Sequence, residues 1–103
     1  MRVTKAVIAA VCNDYFKRVE MPYTVNVSDI EHTRFRTGDY EGGATFHYII
    51  AKNEDSEYGN IEIYTMDTFK GMQEELKKFP DKKLMIKNYS RNTFILDFWV
   101  VVN

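Results

Sequence analysis

The chain has 103 residues, 45% hydrophobic and 28% charged, with a formal net charge of −1. That length can enclose one core and is too short for two ordinary domains. Its 15% aromatic content argues against disorder, and five glycines and a single cysteine exclude collagen and disulfide scaffolds.

The balanced charge exerts no general pull toward nucleic acid or an anionic membrane. The charge is nevertheless unevenly placed. Residues 39–68 hold seven acids against Lys52, and residues 70–91 hold seven bases against Glu74, Glu75 and Asp81. With Cys12 alone, nothing calls for an oxidising compartment, and a cytoplasmic setting is expected. The run Ala6 to Cys12 after Arg2 and Lys5 is short for a signal peptide and is read as part of a retained amphipathic helix. No stretch approaches the roughly twenty apolar residues of a membrane span.

Residues 2–18 carry Val3, Val7, Ile8, Val11, Tyr15 and Phe16 at helical spacing. Lys17 and Arg18 suit the negative end of that helix, and Pro22 blocks its continuation. Tyr23, Val25 and Val27 alternate with polar residues, which predicts a half-buried strand. Ser28 and Glu31 have capping-box spacing, but the alternation over 32–37 favours a strand. Residues 38–43 have the composition of a turn.

Residues 44–52 are apolar in both pleat phases, which predicts an interior strand. Residues 60–66 alternate again, and the two segments are expected to form an antiparallel hairpin. Asp67 is the expected N-cap of a helix over 68–79, with Phe69, Met72, Leu76 and Phe79 as its buried stripe. Glu74 and Lys78 add an i,i+4 pair, and Pro80 closes the helix. Residues 83–89 and 93–102 read as two further strands, the second apolar on both faces and so central in its sheet. The expected fold is a single α+β domain over residues 1–103. It has a mainly antiparallel sheet of five to six strands, an N-terminal helix and one helix inserted between strands.

No segment matches a family motif, and no catalytic set, metal site or cofactor site emerges. Gly42-Gly43 leads into a strand and has no lysine, unlike a phosphate-binding loop. Cys12, His32 and His47 lack paired metal-ligand spacing. Asp97 lies between Leu96 and Phe98 in an otherwise apolar strand, where a structural ion pair with Lys87 or an arginine, or an exposed patch of that face, is the first expectation. A small enzyme built on Asp97 and His47 ranks third among the functions considered.

The leading expectation is a non-catalytic module that binds another protein. In its most concrete form it is an inhibitor or accessory subunit, docked on a basic groove of a larger enzyme or complex, a basic nucleic-acid-handling enzyme being one such partner. Tyr40, Glu41, Glu54, Asp55, Glu57 and Tyr58 would make that contact, since tyrosines among acids combine contact area with electrostatic steering. The second expectation is a single-stranded nucleic-acid or anion binder using Lys77, Lys78, Lys82, Lys83, Lys87 and Arg91. Direct nucleic-acid contact ranks below protein contact, and an open sheet edge is compatible with a homo-oligomer.

Overall fold

A computed structural model describes residues 2–34, 45–51, 61–65, 67–88 and 96–103, with the side chains of 2–30, 63–65, 67–87 and 98–103. Helix α1 spans Lys5–Arg18 and starts late because Thr4 caps it, its hydroxyl accepting the Val7 N–H at 3.2 Å. Val3 is drawn in instead, buried and donating its N–H to Gln73 Oε1 at 3.0 Å. The buried line of α1 is Ile8, Ala9, Cys12 and Phe16, while Val7, Val11 and Tyr15 are only partly covered.

The C-terminal end of α1 closes by a Schellman pattern. Met21 N–H donates to Phe16 O at 2.8 Å and Glu20 N–H to Lys17 O at 3.2 Å, with Glu20 at φ 58°. The helix is thus over before Pro22.

Tyr23 and Val25 are buried as their alternation demands, yet residues 21–26 pair with no strand among the described residues. Asn13 of α1 takes that place. Its amide donates to Val25 O at 2.9 Å, and its Oδ1 accepts the Val25 N–H at 2.8 Å. Alternation reports one-sided burial and is silent on what satisfies the backbone. Val27–Asp29 then forms one 3-10 turn, tied by Asp29 N–H to Asn26 O and by Asn26 N–H to Asp29 Oδ2, both 2.9 Å. The capping pair is therefore Asn26 with Asp29, not Ser28 with Glu31.

Strands β1 (Ile30–Arg34), β2 (Thr45–Ala51), β3 (Ile61–Thr65), β4 (Leu84–Asn88) and β5 (Leu96–Val102) form one sheet in the order β1-β2-β3-β5-β4. Three neighbouring pairs are antiparallel and β3–β5 is parallel. Segments 35–37, 38–43, 89–92 and 93–95 lie outside the described residues. Helix α2 (Phe69–Lys78) connects β3 to β4, and β5 returns between them.

Thr68, not Asp67, caps α2, its Oγ1 accepting the Gly71 N–H at 2.9 Å. Asp67 stands one residue earlier, with Oδ1 accepting the Thr68 N–H at 2.7 Å. Of the expected stripe, Met72 is buried, Phe69 and Leu76 are partly covered, and Phe79 is 46% exposed. Phe79 lies past the last helical turn and carries Lys82 Nζ 4.5 Å above its ring. Lys82 also bridges Glu75 at 3.3 Å, the ion pair formed in this region among the described residues.

Both helices contribute to one core with the sheet: Ile8, Cys12 and Phe16 from α1 and Met72 from α2 cluster with Ile63, Leu84, Ile86, Phe98 and Val100. Phe98 anchors it edge-on to Phe16 at 5.2 Å and to Tyr15 at 5.8 Å.

Candidate functional site

β4 ends the strand order and pairs, among the described residues, only with β5. The pairing phase decides which of its backbone groups face outward. Lys83 N–H donates to Asn103 O at 3.2 Å, and Asn103 N–H donates to Lys83 O at 2.9 Å. In an antiparallel ladder such reciprocal pairs recur at every second residue. Met85 with Val101 and Lys87 with Trp99 are thus the next bonded pairs, and Leu84 and Ile86 aim their N–H and C=O away from β5.

Beside that outward edge runs a groove of about 390 Å³. Lys83, Leu84, Met85 and Ile86 line one wall, and Val7, Ala10, Val11, Asp14, Tyr15 and Arg18 of α1 line the other. The α1 residues recur at helical spacing, about a third of a turn from the buried Ile8–Cys12–Phe16 line. Val7 and Val11 are half-buried, and Ala10, Asp14 and Arg18 are exposed. Arg18 leans over the Tyr15 ring, with its guanidinium carbon 5.9 Å from the centroid.

The other face of the sheet carries a different pattern. Register aligns Lys87, Trp99, Tyr64, Tyr48 and Glu31 in one row across the five strands. Trp99 and Tyr64 stack at 4.9 Å between centroids, 26° from parallel. Lys83, Met85 and Lys87 share that pleat phase along β4, and both lysines are exposed.

Of the expected basic patch, Lys77 and Lys78 are exposed on the last turn of α2. Lys82 is committed to Glu75 and Phe79, Lys83 immediately precedes β4, and Lys87 lies on it. Arg91 lies outside the described residues, as do Tyr40, Glu41, Glu54, Asp55, Glu57 and Tyr58. Asp97 stands in register with Glu62, and His47 with His32. The pairing puts His47 in the pleat phase of Val100 and Asp97 in the phase of Trp99, so the backbone does not bring those two together.

Cys12 has no exposed surface, and burial pushes its thiol up from 9.0 to about 12, against a smaller lowering by a backbone hydrogen bond at Cys12 itself. A thiol held protonated is a poor nucleophile. Among the described residues no group of three His, Cys, Asp or Glu side chains is placed to hold a metal ion, and no helix is long and apolar enough to cross a membrane. Comparison with protein-family models, with curated proteins and with solved structures returns no match to this chain.

The groove was not apparent from the sequence. Its one legible trace is the pair Lys83 and Lys87, four apart in a strand and so in one pleat phase.

Proposed function

We propose that the protein is a non-catalytic protein-binding module. The observation that carries this reading is the groove between α1 and the outward edge of β4, which offers apolar side chains and directed backbone groups in one place. Such a combination suits a polypeptide partner. The whole chain is read as one domain with five to six strands, acting in the cytoplasm.

The more specific form is an inhibitor or accessory subunit. In it Tyr40, Glu41, Glu54, Asp55, Glu57 and Tyr58 dock on a basic groove of a larger enzyme, the acids steering the encounter. That form rests on sequence alone. The test is capture from the native host, purification of the retained protein, and titration at about 0.05 and 0.5 M salt. Affinity should fall with salt and should fall further when Tyr58, Glu54, Asp55 and Glu57 are changed to Ala. A captured partner whose affinity ignores both changes defeats the acidic-loop form. Absence of any specific protein partner defeats the module itself.

One observation favours a second reading, a single-stranded nucleic-acid binder. Trp99 stacks on Tyr64 in register with the exposed Lys87, an aromatic row ending in a cation. Trp99 is the single tryptophan of the chain, so its fluorescence reports on that face directly. Quenching by an oligonucleotide that is reversed by salt supports this reading, and no change in emission removes it.

A further inference from the structure

We infer that the outward edge of β4 is a strand-addition site for an extended peptide of alternating apolar and acidic residues. The inference deepens the protein-binding reading and rests on it.

Three independent features fix the chemistry of the occupant. The first is hydrogen bonding. Leu84 and Ile86 present two N–H and two C=O groups along one line, spaced for an extended chain and not for a helix. The second is the groove. A strand laid beside β4 turns every second side chain toward α1, the side on which Leu84 and Ile86 are buried. Those side chains meet Val7, Ala10 and Val11, so they are apolar. The third is charge. The intervening side chains lie in the phase of Lys83, Met85 and Lys87, where a carboxylate directly opposite a lysine is favourable. Arg18 adds positive charge at the α1 wall, and Asp14, four residues before it, is the acid among the lining residues.

A second copy of this chain paired about Met85 is a poor occupant. Antiparallel pairing of β4 with itself about Met85 puts Lys83 opposite Lys87 of the other copy on both sides of the centre, a like-charge contact. Lysine on an edge strand is a common guard against self-pairing, and it leaves an acidic partner strand admissible.

The test is fluorescence anisotropy with a labelled peptide of alternating Glu and Val on the full chain. A matched Lys and Val peptide should bind at least about tenfold more weakly. Lys83→Glu with Lys87→Glu should reverse that preference, and both positions are exposed enough to leave the fold intact. Ala10→Trp, at an exposed helix position, should block the groove with an unchanged melting curve. Backbone N-methylation gives a signature that side-chain stickiness cannot. Methylating one alternate set of peptide amides abolishes binding and methylating the other set spares it, the Val set being the sensitive one for antiparallel addition.

Several outcomes overturn the inference: no binding of the Glu and Val peptide, equal binding of both methylated forms, indifference to charge reversal, or a homodimer in which β4 is already paired. If the peptide fails while a captured host protein still binds through Tyr58 and its acidic neighbours, the strand-addition site falls and the protein-binding module stands. If neither binds, both fall.

Discussion

The Asn13 carboxamide holds the Val25 backbone from both sides, donating to its carbonyl at 2.9 Å and accepting its N–H at 2.8 Å. One helix side chain thereby does for Val25 what a neighbouring strand would otherwise do, and it anchors the chain at that buried residue. Asn13→Leu leaves two backbone groups beside a buried residue without partners and should cost about 1–3 kcal/mol. Asn13→Asp keeps the acceptor and loses the donor, so its cost should be smaller at neutral pH. Urea denaturation orders the three proteins. A Leu variant as stable as the native chain contradicts this account of the segment.

Glu20 occupies the left-handed position that ends α1, at φ 58°. Its own N–H and that of Met21 make the two hydrogen bonds of a Schellman closure, so the backbone shape is imposed by the motif and the side chain pays a steric penalty for it. Glu20→Gly relieves that penalty and should raise stability by about 1 kcal/mol, less the extra freedom glycine adds to the unfolded chain. Thermal melting measures it, and a fall in Tm counts against the closure described.

Gly71 and Asp67 are coupled by space. A β-carbon at Gly71 would fall on the Asp67 carboxylate, which is holding the Thr68 N–H. Gly71→Ala alone should therefore gain little of the roughly 1 kcal/mol that alanine contributes inside a helix. In an Asp67→Ala background the same change should gain nearly all of it. A double-mutant cycle by denaturation isolates the difference, and strict additivity contradicts the packing.

Cys12 links stability to alkaline pH. Its thiol is pushed up from 9.0 to about 12 by burial, so the folded chain keeps a proton that the unfolded chain releases. The contribution is complete below pH 9 and drains as pH rises toward 12, by about 1.4 kcal/mol per pH unit. The stability gap between the native chain and Cys12→Ala should narrow over that window and stay constant below it. Thiol reagents should label Cys12 only on unfolding, and rapid labelling of the native protein contradicts its burial.

The sheet was legible where side chains alone decide the outcome. The segments of β2 and β5 are apolar in both pleat phases, and both became interior strands. The same logic failed at Tyr23–Val27, because its backbone partner is a side chain twelve residues earlier. It also failed at Phe79, since helical spacing continues in the sequence after the helix has ended. The α1–β4 groove and the row from Lys87 to Glu31 depend on which helix crosses which strand and on four separate registers. No local periodicity encodes either. The acidic, Tyr-bearing segments that carry the sequence-based function lie outside the described residues.

Hydrogen exchange at four consecutive amides tests the central claim most directly. Met85 and Lys87 donate within the β4–β5 ladder, whereas Leu84 and Ile86 face outward. In the free chain the first two should exchange slowly and the last two quickly; with the Glu and Val peptide bound, all four should be slow. Protection of Leu84 and Ile86 in the free chain, or fast exchange at both in the presence of saturating peptide, contradicts the claim that a partner strand completes this edge.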